Sequence, residues 1–127
     1  MRRTEQRRAA VFALYQADLT GRPAPELLAP NATAFTRELV EGVLGERDRL
    51  DELVERHATG WSLDRIAPLE RSILRVALHE LRGRPDVPAE VSIDEAVEAA
   101  KELCSAQAPG FVNGILGAVH RGEVASH

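Results

Sequence analysis

The sequence predicts an all-α protein, and three observations carry that prediction. Apolar residues recur at steps of three and four along most of the 127 residues, the spacing that lines one face of a helix. Prolines fall between those periodic stretches or at their first positions, where they end or open helices. The composition is 44% hydrophobic but only 4% aromatic, which suits helices packed through aliphatic side chains better than a β-sandwich. The length fits one domain, residues 1–127, with its own core.

Residues 3–19 contain no helix breaker, and Val11, Leu14, Tyr15 and Leu19 recur at helical spacing beside Ala10 and Phe12. A first amphipathic helix is expected there. Gly21, Pro23 and Pro25 end it, and a short helical turn is expected at 26–29 before Pro30. Asn31 or Thr33 is placed to cap a long helical stretch that carries Phe35, Leu39, Val43, Leu50, Leu53, Val54 and His57 on one side. Gly42 and Gly45 interrupt it. Glycine inside a helix costs about 1 kcal/mol against alanine, so one of the two is expected to mark a bend or a close crossing. Gly60 closes the segment.

Trp61, expected in the core, precedes a single turn at 62–66, and Pro68 takes the first position of the next helix. That helix, 68–82, is the most apolar: Leu69, Ile73, Leu74, Val76, Ala77, Leu78 and Leu81 cover about half of its circumference. It is the expected central helix. After a loop at 85–88, Ser92 and Glu95 read as a capping box at a helix start, with Ile93, Ala96, Val97, Ala100 and Leu103 on the buried face. A loop at 105–110 leads to a last helix bearing Val112, Ile115, Leu116 and Val119. Gly114 and Gly117 are expected to leave room for a neighbour, Gly122 to end the helix, and residues 123–127 to fray. Six or seven helices with short connections and no solenoid period make an all-α bundle.

A net charge of −4 argues against indiscriminate nucleic-acid coating, which needs a broad basic surface. The basic residues are nevertheless uneven: Arg2, Arg3, Arg7 and Arg8 stand against the single Glu5 in the first eight residues. On a continuous helix these arginines form a basic strip at the end where unpaired N–H groups and the macrodipole already favour anions. Gln6 is placed to hydrogen-bond a base edge. The alternative is a solvated terminus, and the preference for Arg over Lys also fits genome composition.

Catalytic and metal-binding patterns are missing. The histidines at 57, 79, 120 and 127 have no partner at ligand spacing, and His57 and His79 read as helix-surface or boundary residues. There is no phosphate-binding glycine loop or nucleophile elbow. The lone Cys104 reads as a small buried hydrophobe, and no cofactor is expected. With no membrane-spanning apolar run and no signal-peptide core, a soluble cytoplasmic protein is expected. Tyr15 is either core or a stacking platform. Glu70 lies on the apolar arc of the central helix, where it either favours the helix start or meets a partner.

These pieces resemble the NusB family over nearly the whole chain. The matching stretches are RRAAVFALYQADL at 7–19, GWSLDRIAPLERSILRVALHEL at 60–81, VPAEVSIDEAVEAAKEL at 87–103 and FVNGILG at 111–117. The resemblance implies two packed three-helix bundles and a transcription antitermination factor rather than an enzyme. It implies that the protein binds single-stranded boxA RNA of nascent rRNA transcripts together with NusE, a small-subunit ribosomal protein, in an RNA polymerase antitermination complex. The RNA site it implies is Arg3 and Arg7, with Arg2, Gln6 and Arg8 as neighbours and Phe111 and Asn113 bordering the track. Tyr15 and Glu70 would face the partner.

Thr4 and Glu5 stand where many relatives have further basic residues, and Gln107 lies in a stretch where relatives often carry an acid. The two departures push RNA affinity in opposite directions. Two other readings stay open: a NusB-like unit attached to an rRNA methyltransferase, for which no Rossmann-like half or catalytic cysteine motif is seen, and a self-associating homodimer that hides the arginines.

Overall fold

The computed structural model describes residues 2–125, with side chains described as far as residue 122. Those residues form six α-helices: α1 (Arg3–Thr20), α2 (Ala34–Gly45), α3 (Arg47–His57), α4 (Pro68–Gly83), α5 (Ala89–Leu103) and α6 (Ala108–Ala125). Single 3-10 turns at Ala24–Leu27 and Leu63–Arg65 bridge the longer connections. Among the described residues there is no strand, and no helix is long and apolar enough to cross a membrane.

Local chemistry sets the boundaries. Gly21 ends α1 in the left-handed region at φ 75°, returning its N–H to the Ala17 carbonyl at 2.9 Å, a conformation open mainly to glycine. Thr33, not Asn31, caps α2: its Oγ1 accepts the Thr36 N–H at 3.2 Å. The long helical stretch breaks at Gly45 and Glu46, and the Glu46 N–H bonds the Gly42 and Val43 carbonyls.

Three expectations about caps and glycines in the last two helices fail. The capping box does not form, because α5 begins at Ala89, straight after Pro88. Ser92 and Glu95 therefore sit inside the helix, with their side chains turned to other helices: Ser92 Oγ donates to Glu80, and Glu95 accepts from Thr4. Gly114 is exposed, and a methyl group there would meet nothing within 4 Å, so it receives no neighbour. Nor does Gly122 end the last helix, since α6 runs on to Ala125; glycine weakens a helix without stopping it. The fraying expected at 123–127 falls partly outside the described residues, as does His127.

α4 is the centre. It packs against each of the other five helices, and every residue from Ser72 to Glu80 is buried. The two expected three-helix groups thus share it: α1 and α2 lie against one side, α5 and α6 against another, and α3 closes on α4 and α6. Ile73, Leu74 and Leu78 are fully buried and share one core with Leu39, Val40 and Val43 of α2, Leu50, Leu53 and Val54 of α3, and Val112 and Leu116 of α6. Each such side chain contributes about 1.5–3 kcal/mol relative to exposure, more than a surface ion pair.

Polar locks fix the crossings. Arg75 of α4 donates through Nη1 to Asp18 of α1 at 2.8 Å and through Nε and Nη2 to Asp51 of α3 at 2.8 and 3.1 Å. Burial pulls its pKa down, but the bonds and charges of Asp51 and Asp18 outweigh that and leave it raised. Arg47 adds a second donor to Asp18 at 2.9 Å. At the α2 crossing the close approach belongs to Gly42, where a Cβ would fall inside the His79 ring. His79 is therefore buried rather than a surface residue.

Gly42→Ala is expected to lower stability by about 1–3 kcal/mol through overpacking. His79→Ala in the same chain should recover part of that loss. Denaturant unfolding followed by circular dichroism measures both, and an unaffected single variant would show that α2 and α4 do not touch there.

Candidate nucleic-acid interface

The start of α1 carries the basic strip. Its N-cap, Arg2, makes no side-chain cap bond, so the positive end of the helix is left to solvent or to a ligand. Arg2 and Arg3 are exposed. The Arg2 guanidinium comes within 3.8 Å of Glu5 in an open i,i+3 pair, an interaction worth little in water. Arg3 forms no ion pair among the described residues; its guanidinium carbon stands 4.2 Å from the centroid of the Phe35 ring.

Arg7 is different. It is only 7% exposed. Nε and Nη2 grip Glu80 of α4, at 2.8 Å from Oε2 and 2.9 Å from Oε1. Its Nη1 also lies 3.9 Å from Glu95, which is held at 2.9 Å by Thr4. The expectation that Arg7 presents a free guanidinium to RNA fails: position 7 shares the buried side of α1 with Ala10, Val11 and Leu14, and its charge is neutralised by Glu80.

Gln6 is committed as well. Its side-chain oxygen accepts from Thr33 at 2.6 Å and its carbonyl from Thr36 at 2.9 Å, which stitches α1 to the start of α2 rather than presenting that oxygen to a base. Arg8 donates to Glu102 of α5 at 2.7 Å in a pair whose acid is half-exposed.

Toward the other end of α4, an open groove of about 400 Å³ is lined by Trp61, Arg65, Glu70, Ser105, Gln107 and Phe111, among others. Trp61 is 51% exposed, against the core role expected for it, and meets the half-buried Phe111 edge-on at 6.2 Å and 65°. Asn113 is exposed on the first turns of α6. Tyr15 is half-buried on α1. The Glu70 carboxylate is also half-buried and makes no hydrogen bond or ion pair among the described residues; burial raises its pKa. Cys104 is half-buried rather than buried, its thiol pushed up by burial and by the Glu70 charge. Among the described residues no three His, Cys, Asp or Glu side chains gather to hold a metal ion.

Two residues beside the basic strip have no signal in the helix pattern that marks them as part of a site. Phe35 reads as core, and Arg84 lies in a connection. In the structure Arg3, Arg7 and Arg84 all approach the Phe35 ring, at 4.2, 5.4 and 5.2 Å. Hydrogen bonds to Glu38 and Asp86 raise the Arg84 pKa. Asp86 is held below the usual carboxylate range, first by its hydrogen bond from Arg84 and least by Arg3.

Truncating Arg7 strands a buried carboxylate. Arg7→Ala is therefore expected to cost about 3–5 kcal/mol in unfolding free energy, against about 1 kcal/mol or less for Arg3→Ala. Equal losses in denaturant titrations would place Arg7 outside the core. Glu70 binds its proton more tightly folded than unfolded, so its contribution falls as pH rises through that raised range. Glu70→Gln should raise the thermal midpoint at about pH 7 and leave it unchanged below about pH 4. Melts of both proteins at the two pH values check the sign.

Comparison with known proteins joins these features to one family. The chain matches the sequence profile of the NusB family over residues 4–121. It is 42% identical to the transcription antitermination protein NusB of Myxococcus xanthus (strain DK1622), with 91% of each chain covered. T. maritima NusB superposes with a TM-score of 0.86 at 31% identity, covering 95% of this chain and 92% of that one. A crystal structure of antitermination factors NusB and NusE in complex with dsRNA matches with a TM-score of 0.79 at 26% identity, covering 96% of this chain and 99% of that one. The family profile spans all of α1 except Arg3 and reaches into α6, and with the relative's identity over nearly full length it establishes that this chain belongs to the NusB family.

Proposed function

We propose that this chain acts in the cytoplasm as a transcription antitermination factor, a binding adapter rather than an enzyme. In this reading it holds boxA-type single-stranded RNA of nascent rRNA transcripts together with NusE, within an RNA polymerase antitermination complex. The observation that carries the proposal is the uncapped start of α1 with Arg2 and Arg3 exposed upon it, in a chain that belongs to this family. The relative's name and the NusB–NusE–dsRNA complex support the choice of process and partners.

Phosphates are drawn to the helix end by its open N–H groups and dipole, and the guanidinium groups of Arg2 and Arg3 add bidentate donors. Arg8 joins by exchanging Glu102 for a phosphate, since an ion pair with a half-exposed partner is cheap to open. Arg7 stays internal and holds the helix in place. Phe111 and Asn113, at the start of α6, border the strand and contact unstacked bases. Tyr15 and Glu70 face NusE. A donor from that partner would satisfy the half-buried Glu70 carboxylate, which lacks one among the described residues. With an overall charge of −4, phosphate attraction stays local, and NusE extends the surface.

A mobility shift with a boxA-like RNA oligonucleotide and a scrambled control, each with and without NusE, tests the reading. The boxA-like strand should bind more tightly, NusE should strengthen it, and log affinity should fall against log salt. Arg2→Ala/Arg3→Ala should flatten that slope by about 0.7 for each phosphate that is no longer neutralised. A salt-independent affinity, or equal binding of the scrambled strand with NusE present, would sink the proposal.

A further inference from the structure

Three guanidinium groups converge on one aromatic ring, and they are not equivalent. Arg7 is neutralised by Glu80 and Arg84 by Glu38 and Asp86. Arg3 approaches the Phe35 ring most closely, at 4.2 Å, and has no ion-pair partner among the described residues. A guanidinium held over an aromatic face is engaged through its π surface, so its N–H donors stay available for the two oxygens of a phosphate.

The ring is itself fixed. Phe35 is 8% exposed and sits one residue after the start of α2. Thr33 and Thr36, on either side of it, bond the Gln6 side chain and backbone, which locks the ring's place relative to α1. An arginine at a helix tip would otherwise sample many rotamers and lose that freedom on binding.

We propose that Phe35 is a positioning residue for RNA binding: its ring pre-orders Arg3 for a phosphate of the bound strand. The inference rests on the reading of the α1 start as the RNA site, and it assigns Phe35 a role in binding beyond its place in the core.

The test is fluorescence anisotropy of a labelled single-stranded boxA-like RNA with the full chain and four variants: Phe35→Leu, Phe35→Tyr, Arg3→Ala, and Arg3→Ala with Phe35→Leu. Phe35→Leu keeps apolar bulk but removes the π face, and should weaken binding about two- to fivefold. Phe35→Tyr should bind as the unaltered chain does. In the Arg3→Ala background, Phe35→Leu should have no further effect, which a merely structural role would not produce. Equal losses in both backgrounds would overturn the proposal, as would an unchanged Phe35→Leu beside a weakened Arg3→Ala. If Arg3→Ala binds normally, the RNA-site reading and this inference fall together. Should Phe35→Leu not fold, the Arg3 Nε–H resonance of the unaltered chain decides. A ring-current-shifted resonance in the free chain that persists when the RNA is added supports the proposal, and a resonance with no ring-current shift in the free chain, or one that loses it on binding, overturns it.

Discussion

The ion pair between Arg7 and Glu80 sets the register of α1 on α4, and the position of the basic tip follows from it. Both side chains lie in the interior, joined by hydrogen bonds of 2.8 and 2.9 Å, with Ser92 of α5 and Glu95 beside them. Buried charges are tolerated only when paired. A slide of one turn that brought Val11 opposite Glu80 would leave both charges unpaired, at a cost of several kcal/mol. The interaction adds less to net stability than the aliphatic core does, but it disfavours a register in which Glu80 meets an apolar side chain.

From that register the division of labour among the first arginines follows. Arg7 faces inward, Arg8 leans across to α5, and Arg2 and Arg3 project from the helix start. The same economy runs through the chain. Arg75 and Arg47 serve Asp18 and Asp51 between α1, α3 and α4, and Arg84 serves Glu38 and Asp86. Many arginines therefore hold helices together rather than advertise charge, so the exposed cationic corner is small on a chain whose 20 acids outnumber its 16 Lys and Arg residues.

The groove between Trp61 and Phe111 follows the opposite logic. Its aromatic rim is open, and the Glu70 carboxylate beside it lacks a hydrogen-bond or ion-pair partner among the described residues. Burial without a hydrogen bond disfavours the charged form, as the raised Glu70 pKa reflects. Groups left unsatisfied at a surface concavity are features that core packing alone does not require. The basic tip and the groove lie toward opposite ends of α4, so a ligand touching both would run along the helix that organises the fold.

Helix periodicity was enough to place α1 and α4 and to narrow the interruption of the long second stretch to Gly42 or Gly45, because apolar spacing and glycine or proline punctuation act within a few residues and need no knowledge of what packs where. The motifs at 7–19, 60–81, 87–103 and 111–117, above all the last two in succession, were likewise enough to indicate the family. Local pattern misled wherever a side chain had a distant alternative. Ser92 and Glu95 have capping-box spacing but serve Glu80 and Thr4, and Gly114, expected to leave room for a neighbour, meets none. Arg3 and Arg7 are the same residue one turn apart, and nothing in local spacing says which finds a carboxylate 73 positions away and which finds an aromatic ring. Composition and periodicity determined that there would be helices and a basic start to the first one. Which charges are neutralised and which remain available was decided only when α4 and α2 were brought against α1, since pairing depends on distance in space.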